Sequence, residues 1–122
     1  MKRDLELIRR ILLAIENSGP QDRLSVSSFV TDTFPPAMVS LHIKLLLDCD
    51  YIEAFPLRYI GASYDDFIIK RITSNGYDYL DSVKNNTVWN KTKEKLSAVG
   101  GEAALDVVKE IGKAVTLNLL GI

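Results

Sequence analysis

Five residues in this sequence are of the types that hold a nucleic-acid duplex: Ser40, His42 and Lys44, each two positions from the next, and the adjacent pair Lys70 and Arg71. Hydroxyl, imidazole, ammonium and guanidinium groups supply the donors and acceptors that base edges and phosphates require. Other residues belong to types used in catalysis, and none falls into a working set. His42 is the only histidine, and no cysteine or carboxylate stands at ligand spacing from it. Neither a metal site nor a nucleophile–base pair is indicated, and a partly buried structural role is the expectation for it. Cys49 is the only cysteine, with no cation close in sequence to depress its pKa, so it reads as a small apolar filler near a helix end. Asp65 and Asp66 are adjacent in a stretch that reads as a hairpin, where neighbours point apart, and are expected in a solvated loop. The Gly100-Gly101 pair reads as a helix break and not as a phosphate-cradling loop. The reading names no catalytic residue, no metal and no cofactor, and expects a protein that is not an enzyme.

The elements that position these residues follow from periodicity. Residues 3–17 carry Leu5, Ile8, Ile11, Leu12 and Ile15 on one face of an amphipathic helix, stopped by Asn17-Ser18-Gly19-Pro20. Residues 24–34 fit a short helix that begins near Ser25 or Ser27, with Pro35 excluding helix at Phe34. Residues 36–50 form the clearest helix, with Pro36 in its first turn and Val39, Ile43 and Leu46 on its core face. Its outward positions are expected to be Ser40, Leu41, Lys44, Leu45 and Asp48. Residues 51–60 and 66–72 are rich in β-branched and aromatic types and read as two strands, with Gly61-Ala62-Ser63 at the hairpin tip. Pro56 makes the first of them an edge strand or an interrupted one. Thr73 is the expected N-cap of a helix through about Lys84, with Tyr77, Leu80 and Val83 buried. Thr87 is the expected cap of a helix over 88–97 carrying Trp89, Thr92 and Leu96. A final helix over 102–119 has Ala104, Val108, Ile111, Val115 and Leu119 in register.

The order helix, short helix, helix, strand, strand is that of a winged helix-turn-helix, whose third helix can enter a major groove. The expected class is α+β and mostly helical. Residues 1–84 would form the winged domain, and 85–122 a helical extension that packs on it or mediates dimerisation. The run Val39 to Ile52 resembles the recognition helix of bacterial winged-helix repressors leading into the first wing strand. Arg71-Ile72-Thr73-Ser74-Asn75-Gly76 resembles their second wing strand turning into the next helix, where a Leu-Thr-x-x-Gly pattern is usual. Asp50 stands where that pattern has the glycine of a left-handed helix end, a conformation Asp tolerates better than most residues. Over nearly the whole chain, the opening Met1-Lys2-Arg3-Asp4-Leu5, the middle His42, Leu46 and Ile52, and Thr87-Val88-Trp89-Asn90-Lys91 resemble the domain-of-unknown-function family 2513 of bacteria and their phages. That resemblance implies a prophage or mobile-element setting and brings no activity.

Totals narrow the partners. The 122 residues fit one domain of ordinary size, and 47% hydrophobic content suffices for a core without disulfides or metal. No apolar run approaches the about 18 residues of a membrane span, no signal peptide opens the chain, and a lone cysteine suits a reducing compartment, so a cytoplasmic protein is expected. The net charge of −1 is unlike that of a dedicated duplex binder. Over residues 24–60, Lys44 and Arg58 oppose Asp32, Asp48, Asp50 and Glu53, a net of −2. Leu41 and Leu45 put an apolar ridge on the face that would read DNA. The function expected first is a DNA-binding transcriptional regulator contacting double-stranded DNA through Ser40, His42, Lys44, Lys70 and Arg71. The alternative is a protein-interaction module such as an adaptor, an antitoxin-like binder or a host-protein inhibitor. Interface positions are expected at Leu41, Leu45, Trp89, Val115 and Leu119, with Trp89 equally suited to a core. The apolar C-terminal helix makes a homodimer the expected state.

Overall fold

The structure is a computed structural model describing all 122 residues. It is α+β, with helices α1 (Leu5–Glu16), α2 (Pro36–Asp48), α3 (Ser74–Val83), α4 (Asn86–Ser97) and α5 (Leu105–Leu119), and strands β1 (Ile52–Leu57) and β2 (Asp66–Ile72). A single 3₁₀ turn, Val26–Phe29, stands where the sequence led us to expect a short helix. Ser25 and Ser28 close a capping box at its start, the Ser25 N–H donating to Ser28 Oγ at 2.9 Å, and Val30 turns extended at φ −69°, ψ 133° and ends it after one turn. No helix is long and apolar enough to cross a membrane.

The chain divides into two compact units, Met1–Gly76 and Tyr77–Ile122. The boundary between these units falls within α3, eight residues before the expected division at 84/85. The reason lies in α3, whose last turns bury Tyr79, Leu80 and Val83 and press the Ser82 carbonyl toward Gly112 of α5. Tyr77, expected inside, is exposed, and Tyr79 takes the buried place.

In the first unit, α1 begins at Asp4, whose Oδ1 accepts the Leu7 N–H at 3.0 Å, the usual device for one of the four free donors of a helix start. Leu7, Ile8, Ile11 and Leu12 are fully buried, and α1 packs on α2 and β2. Burial of this kind stabilises by about 2 kcal/mol per large side chain. The two strands pair antiparallel from Ile52–Ile72 to Leu57–Asp66, giving a winged-helix-like arrangement. The first strand stops at Leu57, short of the expected 60, because Tyr59 and Ala62 close a turn (3.2 Å) that uses a positive φ of 78° at Gly61. Behind the hairpin, the Ile69 N–H donates to the Leu24 carbonyl at 2.8 Å, so the segment after α1 covers the outer edge of β2.

Helix α2 ends in a Schellman motif. The Tyr51 N–H reaches the Leu46 carbonyl at 2.9 Å, the Asp50 N–H reaches that of Leu47 at 3.0 Å, and Asp50 takes φ 57°. An acid here bears both the steric cost of the left-handed region and repulsion from the helix C-terminus. The substitution Asp50→Gly is expected to stabilise the protein by about 1 kcal/mol. A higher urea midpoint at unchanged slope checks it, and an unchanged midpoint would deny the strain.

The second unit holds α4 and α5 against the end of α3. The cap of α4 is Asn85, not Thr87: its Oδ1 accepts the Val88 N–H at 3.1 Å, so the helix starts one residue before Thr87. Val88, Trp89, Thr92 and Leu96 are buried on α4, and Leu105, Val108, Gly112 and Val115 on α5. Trp89 is thus a core residue of this unit, one of the two places the sequence allowed it, and Val115 is core as well, which corrects its expected place at an interface. Of the two expected C-terminal contact residues, Leu119 remains exposed. The last helix begins at Leu105 and not at 102, because Gly100 and Gly101 both adopt positive φ, 90° and 82°, and keep the chain out of helix.

Candidate functional site

The site the sequence points to is the outer face of α2 with the adjoining wing, all within the first unit. Along α2, the core takes Val39, Ser40, His42, Ile43 and Leu46. Leu41 and Leu45 are half-buried, and Lys44 and Asp48 are exposed. Ser40 and His42 are therefore not outward residues, which corrects the expected contact set.

Burial of each polar group has a partner that accounts for it. His42 is completely buried. The Asp4 N–H donates to its Nε2 at 2.8 Å, which fixes the proton on Nδ1, and Nδ1–H donates to the Met38 carbonyl at 2.7 Å. The imidazole is thereby a neutral tie between the start of α1 and the middle of α2, as its expected structural role required. Replacing it by leucine leaves the Asp4 N–H without its acceptor, and His42→Leu is expected to cost about 2 kcal/mol. Urea denaturation measures this, and a loss below about 0.5 kcal/mol would mean that the N–H finds water instead. Ser40 Oγ donates to the Asp65 carbonyl at 2.6 Å, fastening α2 to the start of β2.

The three cations of the expected contact set are all engaged by acids of the same unit. Lys44 Nζ lies 2.8 Å from Asp65 Oδ2. That hydrogen bond, reinforced by the Lys44 charge and the more distant Arg58, holds the Asp65 carboxyl below the usual aspartate range. Arg71 Nη2 donates to Glu53 Oε1 at 2.7 Å, and Lys70 Nζ lies 3.7 Å from Glu53 Oε2. Glu53 is held below the usual glutamate range, chiefly by the Arg71 hydrogen bond. Two neighbours in a strand normally point to opposite faces. Here a register shift between Glu53 and Ala54 breaks the alternation, and both Lys70 and Arg71 reach one carboxylate. Lys70 also sits 5.7 Å from the centre of the Phe55 ring.

Asp65 and Asp66 are the residues whose role the sequence concealed. They are half-buried and not a solvated loop. Asp66 Oδ1 accepts the Val26 N–H at 3.1 Å and the Phe67 N–H at 2.8 Å, tying the 3₁₀ turn to the wing, while Asp65 serves α2 as described. The available signal was the place of Asp66 at the first residue of a strand, where a carboxylate can accept loose backbone donors. The partners of the two acids, some 25 and 40 positions away, are not visible in local spacing.

What remains outward is an apolar ridge with an acidic end. Leu41 and Leu45, both half-buried, run along α2 toward exposed Asp48 and Asp50, and a shallow groove of mixed lining, Met1, Ala37, Leu41 and Tyr64 with Ser40, Lys44 and Ser63, opens beside the start of the helix. No group of three or more His, Cys, Asp or Glu side chains is placed to hold a metal ion.

Comparison with known proteins agrees with the resemblance noted from the sequence. The model of the family described as Hypothetical protein (DUF2513) matches residues 2–102. An uncharacterized protein of Haemophilus influenzae is 32% identical over 120 residues, covering 98% of this chain and 99% of that protein. No solved structure matches.

Proposed function

The chain belongs to the family described as Hypothetical protein (DUF2513), and we propose that within it this chain is a non-enzymatic protein-interaction module whose binding face is the outer side of α2 and the wing. The observation that carries the reading is the state of Lys44, the one cation of α2, which is paired with Asp65 beside half-buried Leu41 and Leu45. A duplex-reading helix needs free donors on its outer face. Freeing Lys44, Lys70 and Arg71 for phosphates would strand Asp65 and Glu53, two carboxylates that would then repel the same phosphates. Leu41 and Leu45, by contrast, offer apolar surface of the kind that marks protein contacts.

The competing reading, a DNA-binding regulator, draws on the winged-helix order of elements, and order alone is a weak warrant for function. A salt titration separates the two. Fluorescence anisotropy with labelled duplex DNA is expected to show no binding beyond a weak level that is indifferent to sequence, even at low salt. Tight binding that falls steeply with salt, with a log–log slope of about one per phosphate contacted, would overturn the interaction reading in favour of the regulator.

A further inference from the structure

The outer faces of α2 and α5 are complementary when run antiparallel. Along α2 the order is Leu41, Leu45, Asp48, all on one side of the helix. Along α5 one side carries Lys109, Lys113, Leu117 and then Leu120 at the C-cap, where the backbone stays right-handed. Each triplet, 41–48 and 113–120, spans seven helical steps, roughly 10 Å of helix. Laid antiparallel, Leu41 meets Leu120, Leu45 meets Leu117, and Asp48 meets Lys113, with Lys109 directed toward Asp50. Asp106, on the same side of α5, falls beyond the end of α2.

The electrostatics favour this pairing over solvent. Asp48 and Asp50 stand at the C-terminal end of α2, where the helix dipole is already negative, and a cation from outside relieves both. Lys113 is paired in its own chain with Glu110, at 3.4 Å in an exposed i, i+3 pair, looser than the 2.8 Å contact of Lys44 with Asp65, and it lines an open groove with Asp78 and Asp81 of α3. The apolar half is equally unspent: Leu117 is 46% and Leu120 66% exposed. The groove that includes Met1, Ala37, Leu41 and Lys44 lies at the end of α2 that Leu120 of the second copy would reach.

We propose that the partner of the α2 face is a second copy of this chain, with α5 of each copy lying antiparallel across α2 of the other. The proposal rests on the reading of that face as a protein-binding surface. Each chain carries both surfaces, and the proposed pair is the closed one, in which the same contact forms twice.

Charge exchange tests it. Asp48→Lys alone sets an ammonium group against Lys113 at both contacts, and Lys113→Glu alone sets a carboxylate against Asp48 at both. Each variant by itself is expected to raise the dimer dissociation constant by about tenfold to a hundredfold in sedimentation analysis. Mixing the two variants restores opposite charges at both contacts, and the mixed pair is expected to associate as the wild type does. Both positions are exposed, so circular dichroism should show an unchanged fold. A monomeric wild type, single variants that associate normally, or a mixture that stays dissociated would each overturn the proposal. If the wild type is monomeric and also ignores DNA, the second copy is excluded while the protein-binding reading stands. If duplex DNA binds steeply with salt, that reading itself is lost.

Discussion

Replacing Gly76 by alanine is expected to destabilise the first unit by about 3 kcal/mol, at the upper end of what overpacking usually costs. A Cβ at this position would lie 2.1 Å from the Tyr51 carbonyl oxygen and 2.6 Å from Ile72 Cγ2. The first neighbour is backbone and cannot rotate away. It is also committed, because that carbonyl accepts the Thr73 N–H at 2.9 Å. Thr73 closes the same junction from the other side: its Oγ1 accepts the Gly76 N–H at 3.2 Å and its hydroxyl donates to the Asp50 carbonyl. The end of α2, the end of β2 and the first turn of α3 thus meet at one point that has room for a hydrogen and not for a methyl. In an unconstrained helix the same change would stabilise by about 1 kcal/mol, so the sign is diagnostic. Urea denaturation reads it directly, and a neutral or stabilising result would mean that this junction is looser than its geometry states.

Gly112→Ala is expected to have an effect of similar size on the second unit. Its Cβ would stand 2.2 Å from the Ser82 carbonyl oxygen, so α3 and α5 cross with the backbone of one against the glycine of the other. The Ser82 hydroxyl is turned inward to the Tyr79 carbonyl, which leaves the backbone of α3 facing α5. A loss of about 3 kcal/mol is expected, again from overpacking against backbone. Amide hydrogen exchange locates the damage: protection should fall in α4 and α5 with α1 and α2 little changed. Loss of protection confined to α1 and α2 would contradict the division of the chain after Gly76.

The two glycines differ in how far the sequence announced them. Gly76 follows Thr73 in a pattern typical of a wing strand turning into a helix, so its importance was legible, although the reason, the Tyr51 carbonyl, was not. Gly112 sits inside an amphipathic helix, where spacing alone gives no sign of a close crossing. The same contrast holds across the fold. Long periodic segments such as α1 and α2 were readable because their apolar faces repeat within a few turns. Asp50 was readable because one φ angle constrains one residue. Ser40 and His42 were misplaced because outward and inward positions on α2 differ by less than a third of a turn, and what draws them inward is a carbonyl at Asp65 and an N–H at Asp4, both distant in sequence. Lys70 and Arg71 looked like a free basic pair because the register shift that delivers both to Glu53 is a property of strand pairing, not of local sequence. Trp89 looked equally suited to core and interface, since an aromatic at helical spacing serves either, and only burial decides.

These corrections change what the site can do. A helix with three free polar contacts would suit a major groove. The helix observed has its hydroxyl and imidazole turned inward and its lysine neutralised, with two leucines between. The partner we propose for it therefore brings apolar side chains and a cation.

The most direct test is the methyl spectrum of Leu41 and Leu45 in the intact protein, followed along a protein dilution series and along a titration with duplex DNA at low salt. The account expects both leucines to shift with protein concentration, together with Leu117 and Leu120, while core methyls such as those of Ile11 and Leu46 stay fixed and DNA moves none of them. Leucines that ignore protein concentration and shift on adding duplex, in a manner reversed by salt, would contradict it.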